Sequence, residues 1–445
     1  MKEGNRMTRQ MKSLFFILVY LILIFLPLLV FLIFETPESR AFWRDFSVLL
    51  GFVGLSMAGL QFIPTTRLAF LTDIFDMDKV YKMHHVLSVL SVLLVLLHPC
   101  ILLINNPNIL LLFNPFTAPW RAQAGWIGLA GLLLIALTSI YRKELHLGYN
   151  AWHGIHTLLA LVITVFGLIH IFKVNYYSAA LPMRIAWILE IAIWLTMIII
   201  IRIVKPLKIK QHPFTVHQVI QEIPGVWTLV LKPRGHAGFH FNAGQVAWIN
   251  INTSPFTLHR NPFSVSGSAL AKEELRFTIK ALGDFSSSIG DLKGGETVYV
   301  DGPYGNFPLD DASTKNGLVM LAGGIGIAPI MSILKTLADQ KDQRPLTLFY
   351  GSYDEENIIF QAELEKLKKV LNLTVVHVLE KPSGKIPCES GYISQAILER
   401  YLPADRDDLY FFQCGPLPMI KAMAHHLKNL GVSKQRIRSE QYEMA

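Results

Sequence analysis

The chain is 445 residues long, 52% apolar and only 17% charged, with a formal net charge of +8. That length exceeds one ordinary domain, and the apolar excess excludes a wholly soluble globule. Lys and Arg gather at the ends of apolar blocks and over an enzyme-like second half, a distribution that argues against nucleic acid as partner. The three cysteines, Cys100, Cys388 and Cys414, form no zinc-like or redox pairing. No disulfide framework is expected, and the soluble half is expected in a reducing compartment.

Up to about Val204, hydrophobic blocks alternate with short polar joints. The first, residues 14–34, follows Lys2, Arg6, Arg9 and Lys12. It is longer than a signal-peptide core and no small-residue cleavage site follows, so it reads as a membrane helix. Further spans at roughly 46–63, 84–104, 125–141, 151–172 and 184–203 make six. Arg67, Lys79, Lys82, Arg142, Lys143, Arg202, Lys205, Lys208 and Lys210 fall on the side of the basic N-terminus. Arg40, Arg44, Arg121, Lys173 and Arg184 load the other side more weakly. The positive-inside rule therefore predicts a multi-pass protein of the cell inner (plasma) membrane, with both termini and the soluble half cytoplasmic.

The third and fifth spans carry His84/His98 and His156/His170, each pair fourteen residues apart. Fourteen residues are just under four helical turns, so each pair shares a helix face, separated by about 21 Å. Two such helices running parallel stack two sites, each with one imidazole from either helix. That arrangement suits two b-type haems under bis-histidine ligation, and hence electron movement across a bilayer. The competing role for intramembrane histidine is helix–helix hydrogen bonding or proton relay; the repeated spacing favours iron. His85 is possible in place of His84, since His85 and His98 lie thirteen apart, while His146 and His153 read as interfacial. Glu190 is expected to pair with Arg184 or to sit at the interface, with proton handling or a haem-edge role as the alternative.

A short basic linker, 206–210, precedes residues 214–300, which read as strands broken by turns at 233–235 and 294–295. The pattern predicts a small antiparallel β-barrel. Within it, Arg260-Asn261-Pro262-Phe263-Ser264-Val265-Ser266 puts an aromatic and then a hydroxyl on a strand, a pattern that covers a flavin ring and bonds its reactive nitrogen. Lys280, Gly283, Ser286 and Ser287 open a predicted helix whose amides and hydroxyls suit a pyrophosphate. Gly302-Pro303-Tyr304-Gly305 follows as a rigid turn. From Leu318 the pattern becomes strand, glycine turn (Gly323, Gly324, Gly326) and helix, with Pro329 where a strict dinucleotide fingerprint has its last glycine. Strands at 346–350, 373–378 and 409–413, with helices between them, predict an open parallel α/β sheet.

The succession Asn-Pro-Phe-Ser-Val-Ser, Gly-Pro-Tyr-Gly, Gly-Gly-Ile-Gly-Ile-Ala-Pro and Cys414-Gly415-Pro416 resembles the ferredoxin–NADP reductase superfamily. Joined to a six-helix bis-histidine bundle, residues 14–445 resemble the NADPH oxidase/ferric reductase family. The resemblance implies three domains: an all-α transmembrane bis-haem bundle (1–204), an antiparallel β-barrel FAD domain (205–315) and an α/β NAD(P)-binding domain (316–445). It implies FAD, two haem b and NADPH or NADH as cofactors. Phe263 and Ser264 would contact the isoalloxazine, beside Arg260, Pro262, Val265 and Ser266. Lys280, Gly283, Ser286 and Ser287 would lie near its pyrophosphate. Gly323, Gly324, Gly326 and Pro329 would cradle the nicotinamide cofactor's phosphates, with Gly351 and Ser352 further along. Cys414, Gly415 and Pro416 would approach the nicotinamide, and Tyr442 would be the C-terminal aromatic at the flavin. Ser264, Cys414 and Tyr442 are the expected catalytic residues.

Two positions depart from the family pattern. Asn261 stands where many members have His. Tyr353, Asp354 and Glu355 follow Ser352 where an Arg often recognises the NADPH 2′-phosphate; Lys381 and Lys385 are candidate substitutes, and the NADH or NADPH preference stays open. The expected function passes electrons from cytoplasmic NAD(P)H through FAD and both haems to an outer acceptor, either dioxygen (giving superoxide) or a ferric or cupric chelate. Membrane quinone or a partner redox protein is the alternative acceptor, and a haem or metal carrier the alternative class. No nucleic acid and no obligatory protein partner is expected beside the bilayer.

Overall fold

The computed structural model describes residues 2–34, 40–75, 77–114, 116–258, 260–305, 317–403, 406 and 408–441. The chain packs as two units, Met1–Pro206 and Leu207–Ala445. The expected domain limit at 315 falls outside the described residues.

Among its described residues the first unit consists of helices and the joints between them. It opens with α1 (Lys2–Ile24) and α2 (Leu26–Phe34), followed by α3 (Phe42–Leu60), the short α4 (Phe62–Thr65) and α5 (Ala69–Ile74). Then come α6 (Met77–Asn105), α7 (Trp120–Ile140), α8 (Tyr149–Val174), α9 (Leu181–Ile199) and, after a π turn, α10 (Lys205–Lys210). Among the described residues five helices are long and apolar enough to cross a membrane: Phe42–Thr65, Lys79–Asn105, Trp120–Ile140, Tyr149–Val174 and Leu181–Lys210. The α1–α2 pair is a further candidate, but it is bent by 61°. Pro27 explains the bend, because it lacks the N–H that would bond the carbonyl of Leu23. Ser56 Oγ of α3 lies 3.1 Å from that carbonyl and satisfies it.

Two boundaries differ from the sequence expectation. The helix bearing His84 starts at Met77, so His84 lies two turns inside it rather than at its first residue. The supposed linker 206–210 is helical. The π turn at Ile200–Val204 absorbs the hydrogen bond that Pro206 cannot make, and Lys205 Nζ donates to the carbonyls of Thr66 (2.7 Å) and Arg67 (3.0 Å).

Helix α3 is the packing centre of this unit because small residues line it. A side chain on Gly54 would strike Val95 of α6 at 2.6 Å, and one on Gly59 would collide with the indole of Trp194 on α9. Close approach of this kind replaces the hydrophobic drive that lipid cannot supply. Leu90, Leu93 and Leu97 of α6 stay exposed, as a lipid-facing surface requires.

The second unit holds two six-stranded sheets. The antiparallel sheet comprises β1 (Phe214–Ile223), β2 (Val226–Pro233), β3 (Val246–Ile251), β4 (Asn261–Ser264), β5 (Leu275–Lys280) and β6 (Thr297–Tyr304), in the order β4-β3-β6-β1-β2-β5. Its two edges touch at the bridge Val265–Phe277. A one-turn helix, α11 (Asp284–Ser287), lies between β5 and β6.

The second sheet has β7 (Leu318–Gly323), β8 (Leu346–Ser352), β9 (Leu373–Leu379), β10 (Glu389–Ser390), β11 (Tyr410–Gly415) and β12 (Ile437–Gln441), all parallel, in the order β10-β9-β8-β7-β11-β12. Helices α12 (Ile327–Asp339), α13 (Gln361–Leu367), α14 (Gln395–Tyr401) and α15 (Leu417–Asn429) cover it. Alternation along β7 decides the layers: Leu318, Met320 and Ala322 pack with α12 and α13, while Val319 and Leu321 pack with α14 and α15. The polar side of α12 ties the two sheets together. Ser332 Oγ donates to the Gly267 carbonyl at 2.7 Å, and Thr336 Oγ1 accepts from Ala269 N at 2.9 Å.

Candidate functional site

Helix α6 packs mainly on α3, and α8 mainly on α7, so the two histidine-bearing helices face each other without close backbone contact. Between them the imidazoles meet in two pairs. His84 and His156 have ring centroids 6.3 Å apart, and His98 and His170 6.4 Å. His85 is on the exposed side of α6. An iron midway, about 2 Å from each ring nitrogen as in other imidazole–metal bonds, would separate the centroids by about 6.3 Å. Among the described residues no three His, Cys, Asp or Glu converge on a metal site. Two imidazoles alone leave a bare ion under-coordinated, whereas a porphyrin supplies the four equatorial nitrogens.

The His98 and His170 rings are held from behind by the neighbouring helices. His98 Nδ1 lies 3.0 Å from the carbonyl of Ser47, and His170 Nδ1 lies 2.6 Å from that of Arg121. One turn further along each supporting helix stands a glycine. A Cβ on Gly51 would sit 3.2 Å from the His98 ring, and one on Gly125 2.8 Å from the His170 ring. Each bond fixes the ring with Nε2 left for a ligand. In the other pair, Ser139 Oγ lies 3.3 Å from His156 Nδ1. His84 Nδ1 is buried and, among the described residues, has no partner. These supports were not anticipated from the sequence, since a backbone carbonyl carries no residue signature; the glycines one turn away were the readable trace.

Glu190 is fully buried and does not pair with Arg184. Its Oε1 is 2.9 Å from Ser56 Oγ, the same hydroxyl that serves Leu23. Arg184 instead donates to the Ser178 carbonyl and to Asn175 Oδ1. Glu190 is thus held in the interior at the hydroxyl that also meets the carbonyl freed by Pro27.

On β4, Phe263 stacks beside Phe285 at 5.9 Å, next to the buried Ser264. Pro262 and Phe263 pair with Trp248 and Ala247 of β3. Arg260 makes an enclosed ion pair with Asp301 at 2.9 Å, and Tyr304 donates to the same carboxylate at 2.5 Å. Val265 and Ser266 are fully buried, Ser266 accepting from Thr278 at 2.8 Å, and their N–H groups are spent on the carbonyls of Gln245 and Arg276. The helix expected after Gly283 is a single turn. Ser286 Oγ is spent inside it, accepting from Leu282 N and Gly283 N, while Lys280 and Ser287 are exposed. A helix dipole worth invoking is absent from that turn; its amides remain.

At the C-terminal edge of the parallel sheet, the loop after β7 and the end of β11 lie side by side. This is where strand order reverses, the usual ligand crevice of such sheets. Gly324 has φ +54° with open space around it, and a side chain on Gly326 would collide with the carbonyl of Cys414. Gly323, Gly326, Cys414 and Gly415 are thus brought together, while Pro329 is buried in the first turn of α12 and Pro416 is exposed at the start of α15. Gly351 pairs with Gly323, and Ser352 closes β8. Beyond it, Asp354 Oδ1 accepts from Asn357 N (3.0 Å) and Nδ2 (2.6 Å), and Lys381 Nζ lies 4.9 Å over the ring of exposed Tyr353. Lys385 pairs with Glu356 at 3.4 Å.

Tyr442 lies outside the described residues. Two positions before it, Glu440 pairs with Cys414 across β12 and β11, a neighbour the sequence reading missed. Its Oε2 is enclosed and, among the described residues, unpartnered; burial pushes the carboxyl up to about 8.

Two family descriptions match. "Ferric reductase like transmembrane component" covers residues 50–167, and "Oxidoreductase NAD-binding domain" covers residues 320–425. NADH-cytochrome b5 reductase 1 of Dictyostelium discoideum is 31% identical over 166 residues, 37% of this chain and 58% of that protein. The reductase component of propane 2-monooxygenase from Mycolicibacterium smegmatis is 28% identical over 219 residues, 47% and 61% of the two chains. The chain spans about three fifths of the length of these curated relatives. Among solved structures, flavohemoglobin from Malassezia yamatoensis is 21% identical, covering 76% of this chain and 91% of that one, with a TM-score of 0.48. The FAD/NAD-binding domain of nitric oxide dioxygenase from Vibrio cholerae is 24% identical, covering 52% and 98%, with a TM-score of 0.46.

The two matches give the chain, in this order, a ferric reductase-like transmembrane component and an oxidoreductase NAD-binding domain. That order matches the resemblance to the ferric reductase/NADPH oxidase family drawn from the sequence.

Proposed function

We propose that the chain carries electrons from cytoplasmic NAD(P)H, by way of FAD and two stacked b-type haems, to a small acceptor on the opposite face of the inner membrane. The observation that carries this reading is the pair of imidazole couples, 6.3 and 6.4 Å between ring centroids, on a chain that also holds a nicotinamide module. When bound, FAD converts two-electron hydride chemistry into single electrons, and low-spin haems conduct them without opening a ligand position.

The protein's own contribution is placement. Gly323, Gly324 and Gly326 let backbone amides approach the nicotinamide cofactor's phosphates. Phe263 and Ser264 would hold the flavin ring, with Arg260 braced by Asp301. Glu440 holds a proton up to about pH 8 beside Cys414, the residue that would approach the nicotinamide ring. Ser332 and Thr336 fix the two sheets at a set separation. Ser47 and Arg121 aim His98 and His170, and Ser139 aims His156.

An acceptor that needs no ligand position fits dioxygen, which gives superoxide, or a ferric or cupric chelate. Acceptor profiling of the purified protein with added FAD tests this: turnover with oxygen that a superoxide scavenger intercepts, or with a ferric chelate under argon, supports it. Turnover only with a quinone or an added redox protein would replace it.

A further inference from the structure

Three of the four facing histidines have an acceptor behind Nδ1: Ser47 for His98, Arg121 for His170 and Ser139 for His156. His84 has none among the described residues, although its Nδ1 is buried. If Nε2 binds iron, Nδ1 must carry hydrogen, and a buried N–H needs an acceptor.

The register of α3 against α6 identifies one. The helices run antiparallel, with Ser47 beside His98 and, seven residues further, Gly54 beside Ser91, whose Oγ donates to the Gly54 carbonyl at 2.8 Å. Seven residues are close to two helical turns, so the face is kept. The next step of seven takes Gly54 to Gln61 and Ser91 to His84. Helical backbone continues through Gln61, so the seven-residue period puts it on the stripe of Ser47, Gly51 and Gly54 that faces α6, whereas Ser56 and Gly59 face α9. Its Nε2 donates to the Met57 carbonyl at 3.3 Å, which anchors the amide, and its Oε1 is buried with no partner among the described residues. A buried acceptor without a donor and a buried donor without an acceptor thus stand at one level of the same helix pair.

We propose that Gln61 is the positioning residue of the inner site: its side-chain carbonyl accepts from His84 Nδ1 and orients Nε2 toward iron. This rests on the haem reading above. An acceptor on Nδ1 makes the imidazole a stronger donor to iron and favours the oxidised state, so the strength of that bond tunes one potential of the two.

The test is an optical redox titration of the full-length, haem-loaded chain, with haem counted by pyridine haemochrome, for wild type, Gln61→Met and Gln61→Glu. Gln61→Met keeps shape but removes the acceptor, and is expected to keep two haems and raise one midpoint potential while the other stays. Gln61→Glu strengthens the acceptor and is expected to lower that same potential. The potential concerned is the one lost with its haem in His84→Ala. If Gln61→Met fails to fold, the downward shift in Gln61→Glu decides. Two haems with unmoved potentials, or both potentials moved alike, overturn the assignment of Gln61 alone. A wild type that binds no haem overturns the haem reading itself, and this inference with it.

Discussion

Gly326 and Cys414 share one small space: the Cβ that Gly326 lacks would fall on the carbonyl of Cys414. The glycine turn after β7 therefore rests directly on the backbone that ends β11, and the two halves of the proposed nicotinamide site are one contact. Backbone cannot yield as a flexible side chain does. Gly326→Ala is expected to push the loop off β11 and to lower kcat/KM for NAD(P)H at least tenfold, with FAD content and haem content retained; overpacking of this kind costs about 1–3 kcal/mol. Wild-type kcat/KM in the variant would mean the loop is not at the site.

Glu440 gives a pH dependence with a definite sign. Its carboxyl is raised by burial from 4.5 to about 8, so between these values the folded chain keeps a proton that the unfolded chain releases. Stability from this group is fully present below about pH 4.5 and is lost as pH rises through 8, at a slope of about 1.4 kcal/mol per pH unit. Chemical denaturation between pH 5 and 9 checks it: Glu440→Gln should flatten that part of the profile and be the more stable protein at pH 9. Parallel profiles for both proteins would show Glu440 to be ionised throughout.

Cofactor preference is expected to turn on Lys381 rather than Asp354. The Asp354 carboxylate is turned onto Asn357, capping the short turn after β8, and Lys381 lies over Tyr353 at the exposed end of that strand. Lys381→Ala is expected to lower kcat/KM for NADPH about tenfold relative to NADH, a change of about 1.4 kcal/mol. Asp354→Ala is expected to leave the ratio unchanged and to cost about 1 kcal/mol of stability through the lost cap. A ratio that moves with Asp354 and not with Lys381 would reverse the assignment.

The features legible in the sequence were those with a period or a fixed glycine. The fourteen-residue histidine spacing, the glycine turn after Leu318 and the strand–helix alternation that follows it all reappear as packed elements. What escaped was set by contacts between distant segments. Pro27 bends the first apolar block, and the carbonyl it frees meets the same Ser56 hydroxyl as Glu190; nothing local to Glu190 announces that. Val265 and Ser266 follow Ser264 directly, yet the edge-to-edge bridge of the antiparallel sheet turns both inward. Ser286 lies in a turn too short to present a helix end. Glu440 was passed over because an acid two residues from a terminal aromatic has no local signature, and only the pairing of β12 on β11 places it opposite Cys414.

The central claim, that one chain couples a nicotinamide site to two bis-histidine haems, is tested most directly by absorbance spectroscopy under argon. Wild type loaded with FAD should show two b-type haems per chain, with their reduced α-band developing on addition of NAD(P)H. His84→Ala, His98→Ala, His156→Ala and His170→Ala should each retain one haem. The α-band should persist on NAD(P)H when the outer ligand, His98 or His170, is the one removed. Two haems remaining in every variant, or a wild-type haem that dithionite reduces and NAD(P)H does not, would contradict the account.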